Sequence, residues 1–491
     1  MLLPLLALRA LASDPYTLAE AMDAASLRAS GVQGAALDER GAAAGIDALD
    51  AATDTQLRAQ AGYTSDTREG AGQFGKFFAE TGGWSTSAGA DRAFWTGTSI
   101  GVDVSSTQTK FLYRLADAGV EFTDAPQVQS RLAVRLTQQL LEGAGRATNL
   151  AGRDAAVRAR DAASLERRAQ AARARVDAAR AFRAVHVARE GVALAEQALD
   201  AAGTGATVVE ALVGEGRLAP VEGTRARLAR VQAEQALAQA VVAWEDAALA
   251  LARALGESTS ARTREVRWTG TCDAPADDLI EVLASPGALE RLQDANADLG
   301  VARLRVDAAR RRVEGARRAI LPSLTANASA GLNGFEPSVG ASLGELAGGS
   351  LPEWAVGATV QVPLGNRADR AALEQAEVDL ARAELARAEL ARGVVQAHLA
   401  NLRAWELGAR AAQVGAAAEA LAAEALTVEE ARLAEGRGLV RDVTDARRAR
   451  AQARLDRVRG AASCADAKIE LLRAFDAPLR DDADPRELVG P

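Results

Sequence analysis

The residue types that most often carry chemistry are scarce in this chain. Its 491 residues include two cysteines, Cys272 and Cys464, and two histidines, His186 and His398. So few thiols and imidazoles leave little material for a metal site or a thiol catalyst. The sequence also shows no Ser-His-Asp set, no paired-carboxylate cleft and no phosphate-binding glycine loop. We therefore expect no enzyme activity, no cofactor and no metal.

One pair of acids has a spacing that could have a function. Asp442 and Asp445 lie three positions apart in a predicted helix, and residues at i and i+3 share one helix face. One interpretation is two solvated acids near a helix start, where negative charge is favourable in any case.

The composition excludes several classes of protein. Hydrophobic residues make up 48% and charged residues 25% of the chain, which is too apolar for a disordered protein. The net charge of −8 argues against nucleic acid as a partner. No run of 18 apolar residues follows the N-terminus, so the sequence predicts no membrane-spanning helix.

The prolines are unevenly placed and leave room for long helices. Residues 127–219, 221–274 and 364–477 contain no proline, and a proline inside a helix costs about 3 kcal/mol. The 68 residues of Arg367–Ala434 would extend about 100 Å as a single helix.

This second long segment carries a heptad pattern. Apolar residues recur every seven positions at Leu407, Val414, Leu421 and Val428, and also at Leu373 and Leu380. A seven-residue repeat forms a seam that must pack on a neighbouring helix. On the heptads alone, a soluble antiparallel coiled coil is the simplest interpretation.

The chain also repeats itself at an offset of 220 residues. Residues 213–256 align without a gap with residues 433–476, and Glu215-Gly216-Arg217 matches Glu435-Gly436-Arg437. Each copy has the pattern of a long helix, a glycine-bearing turn and a returning helix. The two halves indicate an internal duplication, so the fold must be considered repeat by repeat.

Strand patterns precede each long helix. Residues 323–332 and 354–363 alternate small polar and apolar residues, and residues 56–64 and 131–141 occupy the matching places in the first half. Each is close to the roughly nine to eleven residues that a tilted strand needs to cross a bilayer. Four such strands cannot close a barrel, because the smallest membrane barrels have about eight. Open edges are not tolerated in lipid, so several chains would have to share one barrel; three chains of four strands would supply twelve.

These features together resemble the TolC-like outer membrane efflux protein family, over most of both halves. Tyr16–Ala21 is similar to the family's opening helix signature, and Ile320–Leu324 to its first barrel strand in a repeat. Val362–Arg367 resembles the exit from the barrel into the long helix, with Gln139–Gly143 as the counterpart in the first half. Gly436–Arg447 resembles the turn between helices and the stretch after it.

The resemblance implies a mainly α-helical chain with membrane β-strands. It implies a long coiled-coil tunnel, two internal repeats, and strands that contribute to a shared trimeric 12-stranded outer-membrane barrel. The implied function is the exit duct of a tripartite efflux or type I secretion system, which extends from outer-membrane lipid into the periplasm. The implied partners of this homotrimer are a periplasmic adaptor and an inner-membrane transporter.

The alternative is a soluble periplasmic coiled-coil adaptor or scaffold. An adaptor would need a lipoyl-like or barrel domain between its helices, and the sequence shows none.

The resemblance also assigns roles to particular residues. The adaptor would dock on two turns, Gly216-Arg217-Leu218 and Gly436-Arg437-Gly438-Leu439. A plain helix–helix turn explains these glycines equally well. Asp442 and Asp445 would ring the periplasmic constriction, and such a ring of carboxylates would favour cations over anions. Cys272 and Cys464 would both lie near the equator of the tunnel, either joined in a disulfide or as two buried free thiols.

The predicted organisation has five parts. Residues 1–12 have features of a signal peptide, 13–256 and 280–476 are the two repeats, 257–279 link them, and 477–491 form a C-terminal tail. The first repeat departs from the family pattern by an insertion at residues 65–129, and ten of the 18 aromatic residues fall between Tyr63 and Phe122. The insertion is either an enlarged extracellular loop, an extension of the barrel with interface aromatics, or a packed loop cluster, and it leaves the strand count of the first half open.

Overall fold

The computed structural model describes residues 17–72, 75–115, 120–123, 127–257, 266, 268, 272, 274–349, 351–435, 437–438, 440–479 and 488. The predicted signal sequence at residues 1–12 lies outside these ranges. The helices are α1 Leu18–Arg28, α2 Ser30–Asp50, α3 Arg146–Asn149, α4 Ala151–Gly214, α5 Pro220–Ala254, α6 Asp277–Leu283, α7 Pro286–Ala295, α8 Ala297–Ala319, α9 Val339–Gly348, α10 Arg367–Ala434 and α11 Val440–Ala474. The strands are β1 Gln56–Gly72, β2 Gly75–Ala93, β3 Thr98–Leu115, β4 Val120–Thr123, β5 Gln127–Gln139, β6 Ser323–Glu336 and β7 Leu351–Gln361.

The chain divides into two compact units. The first contains the described residues of Met1–Arg40, Asp161–Arg303 and Leu385–Pro491, and the second those of Gly41–Arg160 and Leu304–Glu384. Helices α4 and α10 are 64 and 68 residues long, so the single helix predicted for Arg367–Ala434 is confirmed. Both are rich in alanine and free of proline, which is why neither is interrupted. Among the described residues, no helix combines the length and hydropathy that crossing a membrane requires.

The internal duplication is visible in the helix ends. Helices α5 and α11 both have 35 residues, and both of their ends differ by 220 positions. The turns before them also match: Arg217 N–H donates to the carbonyl of Leu212, and Arg437 N–H donates to that of Arg432. Two related residues after them, Gly256 and Asp476, both have positive φ, 69° and 53°. The repeat therefore extends from sequence to hydrogen bonding.

The first unit is held together by small-residue helix packing. Its largest buried cluster joins α1, α4, α5 and α11 through residues such as Ala21, Phe182 and Leu251. Helices α10 and α11 approach so closely that a Cβ on Gly408 would lie 2.7 Å from the backbone nitrogen of Cys464. Gly415, seven residues later, meets the Arg457 backbone in the same way. The intrachain seam of α10 therefore uses glycines at heptad spacing.

This seam is displaced by one residue from the predicted one. The predicted positions remain largely exposed to solvent: Leu407 63%, Val414 69%, Leu421 65% and Val428 54%. The heptad spacing is present in α10, but within this chain it is the adjacent glycines that lie against α11. The stripe that starts at Leu407 and the stripe that starts at Gly408 repeat with the same seven-residue period. The period alone therefore cannot predict which of the two stripes packs on α11.

The second unit contains one antiparallel sheet. Its strand order is β1-β2-β3-β5-β6-β7, with β4 paired to the end of β3 beside β5. Gly97 makes the turn between β2 and β3 with φ 82°, where a Cβ would clash with the Gly143 carbonyl oxygen. At the end of α2, Arg153 Nε donates to Asp50 at 2.6 Å, and this hydrogen bond lowers the pKa of Asp50.

The sheet has more strands than the sequence pattern predicts. Residues predicted as strand at 56–64, 131–141, 323–332 and 354–363 fall within or overlap β1, β5, β6 and β7. The insertion at 65–129 lengthens β1 and adds β2, β3 and β4 to the same sheet. The continuous order therefore holds six strands rather than four, because the insertion itself alternates in polarity and pairs as a hairpin between β1 and β5.

Candidate functional site

The sheet has one apolar and one polar face, and β5 shows this clearly. Alternate residues of a strand point to opposite faces. On β5 one face carries Val128, Leu132, Val134 and Leu136, and the other carries Gln129, Arg131, Arg135 and Thr137. Val128 and Ser130, at the start of the first face, are fully buried. The accessible apolar side chains Leu132, Val134 and Leu136 extend over five residues, or about 17 Å of strand.

The apolar face continues across all six strands. Cross-strand partners lie on the same face, and one row of partners is apolar from edge to edge. This row consists of Leu57, Ala90, Val102, Val134, Ala330 and Trp354. Aromatic rings lie further along the same face, where Tyr63 and Trp84 contact each other with centroids 5.0 Å apart. An apolar band with aromatic residues at its rim is typical of a membrane-embedded sheet.

The opposite face is polar and carries charge pairs between strands. Arg135 pairs with Asp103 at 2.8 Å, which joins β5 to β3. Arg131 of β5 forms an ion pair with Glu353 of β7. Charges on one face and exposed valines on the other match a wall between water and lipid.

The two predicted docking turns have the same backbone geometry where they are described. Gly216 has φ 73°, and the N–H groups of Arg217 and Leu218 both point to the carbonyl of Leu212. In the second turn the N–H groups of Arg437 and Gly438 point to the carbonyl of Arg432. Leu218 is exposed. Gly436 and Leu439 lie outside the described residues.

The two predicted gate acids lie in the first turns of α11, and both are exposed. Asp445 is flanked by two arginines of its own helix, with Arg441 at 3.7 Å and Arg448 at 3.8 Å. Val443, between the two acids, is buried. In the first repeat, the matching Glu222 and Arg225 form an ion pair at 2.7 Å. Only the second repeat therefore presents two acids at this position.

The two cysteines are brought together. Cys272 and Cys464 form a disulfide with Cα atoms 5.9 Å apart. Cys464 is fully buried, in a cluster with Leu402, Trp405 and Leu471. This bond joins the segment between the repeats to the last long helix.

The two histidines are packed rather than arranged as ligands. His398 Nε2 donates to the Leu283 carbonyl at 3.0 Å, and its ring meets Phe475 edge-on. His186 packs edge-on against Trp268. Burial lowers the pKa of both imidazoles. Among the described residues, no cluster of histidine, cysteine and acidic side chains could hold a metal ion.

A second exposed apolar stripe is hidden in the sequence and becomes visible only in the structure. It lies on α5 and consists of Val221, Leu228, Val242 and Leu249, all exposed. These positions follow a seven-residue period with Gln235 at its centre, and this polar interruption obscures the pattern. The first unit thus presents two apolar helix stripes of equal spacing, one on α5 and one on α10.

Comparisons with known proteins agree with this architecture. The family described as Outer membrane efflux protein matches residues 288–475. A comparison with curated protein sequences finds no match.

Several solved structures have a similar fold. A membrane protein from Pseudomonas aeruginosa is 19% identical, with a TM-score of 0.65 and 93% of each chain covered. The Campylobacter jejuni CmeC outer membrane channel is 13% identical, with a TM-score of 0.66, covering 98% of this chain and 94% of its own. The outer membrane protein VceC from Vibrio cholerae is 15% identical, with a TM-score of 0.63, covering 94% and 97%. The resemblance to the TolC-like outer membrane efflux protein family is therefore confirmed: residues 288–475 match the family described as Outer membrane efflux protein, and more than nine-tenths of the chain shares the fold of these solved outer membrane proteins.

Proposed function

We propose that the chain is one subunit of a homotrimeric outer-membrane exit duct of a tripartite efflux or type I secretion system. The duct passively conducts substrate that a periplasmic adaptor and an inner-membrane transporter deliver. The observation that carries this proposal is the two-faced sheet, whose apolar row runs from Leu57 to Trp354 while charge pairs occupy the other face. A soluble coiled-coil scaffold would not expose such a face, because large apolar patches lead to aggregation in water.

The two exposed helix stripes support self-assembly. Helix α5 begins at the first turn and runs away from it, whereas α10 runs toward the second turn and ends there. If the two turns lie at the same end of the molecule, the apolar stripes on α5 and α10 have opposite chain directions. Packing the α5 stripe of one copy against the α10 stripe of the next would bury both as an antiparallel seam. Burying an exposed leucine fully is worth about 1.5–3 kcal/mol.

Two smaller assignments complete the proposal. The turns around Gly216–Leu218 and Gly436–Leu439 form the periplasmic surface that meets the adaptor. Asp442 and Asp445 line the constriction next to the second turn. The matching geometry of the two turns and the exposure of both acids support these assignments.

The test is an assembly experiment with an apolar-to-acid substitution. The native protein should fractionate with the outer membrane and purify in detergent at three times the chain mass of 50.9 kDa. Leu421→Asp should prevent the trimer from forming, because it places a carboxylate in the seam of each interface. Leu37→Asp on α2 is the matched control, since Leu37 and Leu421 are both 65% exposed. A native protein that is soluble and monomeric without detergent would refute the proposed function.

A further inference from the structure

We propose that the shared barrel has 18 strands, six from each of three copies, and that β7 of one copy pairs with β1 of the next. This inference rests on the proposed function for the trimer and the membrane, and it concerns the wall that the sheet builds. It follows from the hairpin β2–β3, which the sheet holds between β1 and β5.

The added strands belong to the membrane wall rather than to a loop above it. Ala88 and Ala90 of β2, and Ile100, Val102 and Val104 of β3, lie on the face that carries the apolar residues of β5. They pair at the level of that band: Val102 faces both Ala90 and Val134. Removing β2 and β3 from the wall would leave this apolar surface in water.

The aromatic rim gives the tilt of the strands. The row of partners that ends at Trp354 on β7 begins at Leu57 on β1, six residues before Tyr63. We place Tyr63 and Trp354 at the same depth in the membrane. From β1 to β7 the row of partners then rises by six residues, or about 20 Å along the strand, while it crosses five strand spacings, or about 24 Å. This corresponds to a tilt of roughly 40°, within the range of roughly 35–45° that transmembrane barrels have. All six strands therefore fit one tilted wall.

The two edges of the sheet need partners. The order ends at β1 and β7, and these strands are exposed almost along their whole length, with Leu57 at 82% and Val356 at 75%. From Trp354 to Gln361 the edge strand β7 carries no charged residue, so it lacks the usual protection against pairing. In lipid, the free N–H and C=O groups of both edges must be paired.

A second copy of the chain is the occupant that satisfies both edges. Six strands are too few for one chain to close a barrel, since the smallest membrane barrels have about eight. Six alternating strands also leave β7 antiparallel to β1, so each joint between copies continues the antiparallel pattern. Relative to the membrane plane, the row of cross-strand partners rises by about one residue at each step from one strand to the next. Trp354 should therefore lie opposite Tyr63 or Ser65 of the next copy.

The consequence is a wide exit through the outer membrane. Barrel diameter grows roughly linearly with strand number, so 18 strands give a lumen about 1.5-fold wider than 12. The polar face with Arg131, Arg135 and Asp103 would line it. Strand β1 continues nine residues past Tyr63, to Gly72, so this part of the wall extends about 30 Å beyond the aromatic rim along the strand.

The experiment is cysteine cross-linking between edges in intact outer membranes. Two double variants cover the two possible registers. Val356→Cys with Ala61→Cys tests the register in which Trp354 lies opposite Tyr63, and Val356→Cys with Tyr63→Cys tests the register in which Trp354 lies opposite Ser65. Directly opposite side chains have Cβ atoms about 4.5–5.5 Å apart, which is within disulfide range. The matched control pairs Ala61→Cys with Ala326→Cys, which lies on the same face but one strand in from the edge. Each single-cysteine variant is run beside them.

After oxidation, one of the two edge pairs should give covalent species of two and three copies on a non-reducing gel, and the control none. Imaging of the detergent-purified trimer should show a barrel about 1.5-fold wider than a 12-stranded one. A ladder that ends at two copies, or trimers in which neither edge pair cross-links, would overturn the pairing of β7 with β1. A barrel no wider than a 12-stranded one would overturn the 18-strand count. The proposed function would fail differently, through absence from the membrane fraction.

Discussion

Removing the disulfide should lower the stability of the first unit without changing its fold. The change is the double substitution Cys272→Ala, Cys464→Ala. The bond closes a loop with a sequence separation of 192 residues. Loop-closure entropy then gives a stabilisation of about 5 kcal/mol, at the upper end of the roughly 2–5 kcal/mol lost when native disulfides are removed. Alanine is used because the position of Cys464 is fully buried among apolar side chains, where a serine hydroxyl would require a partner.

The measurement is unfolding of the detergent-solubilised protein, followed by circular dichroism in increasing denaturant. The double variant should unfold at a lower midpoint than the oxidised native protein. The reduced native protein should unfold as the double variant does, and the variant should not respond to reductant. A common midpoint for all three samples would refute the entropic argument. Recovery of both cysteines as free thiols by non-reducing peptide mapping would refute the bond itself.

Three further predictions concern the gate, the turns and a buried histidine. Asp442→Asn with Asp445→Asn should abolish the cation preference of the duct and its block by multivalent cations in a planar bilayer, because the ring loses its negative charge; unchanged selectivity would exclude the gate. Leu218→Asp with Leu439→Asp should abolish efflux while trimers persist, because an apolar contact with the adaptor is lost; normal efflux would exclude docking there. Burial lowers the pKa of His398 below its usual 6.5, so the unfolded chain takes up the proton first and stability should fall as pH drops below about 6.5. His398→Gln should remove part of that loss in denaturation series at about pH 7 and pH 5, and an unchanged slope would contradict it.

Local patterns determined much of this protein. The absence of proline and the abundance of alanine explain why α10 runs uninterrupted for 68 residues, because helix formation depends on neighbours within a few residues. The duplication predicted matching hairpins, and the structure has them down to the carbonyls of Leu212 and Arg432. These features need only short-range information, which a single sequence contains.

Which helix face meets which partner was decided by tertiary structure. Leu407 and Gly408 are adjacent and both begin heptad rows, yet Gly408 lies against the backbone of α11 whereas Leu407 is 63% exposed. Close backbone approach favours the glycine row inside the chain and leaves the leucine row for another surface. Helical periodicity is identical for both rows, so the sequence could not separate them.

The strand count and the cysteine pairing also depended on tertiary structure. Residues 65–129 alternate in polarity whether they form a separate loop or join the wall, and only the pairing of Val102 with Ala90 and Val134 places them in the sheet. Cys272 and Cys464 are far apart in sequence, and their Cα atoms come within 5.9 Å because both pack into one apolar cluster with Leu402 and Trp405 of α10. The sequence by itself determined the helices, most of the strands and their repetition. Contacts between distant segments determined how many strands form the sheet and which residues meet. Such contacts leave no periodic signal along the chain, so the sequence pattern does not contain them.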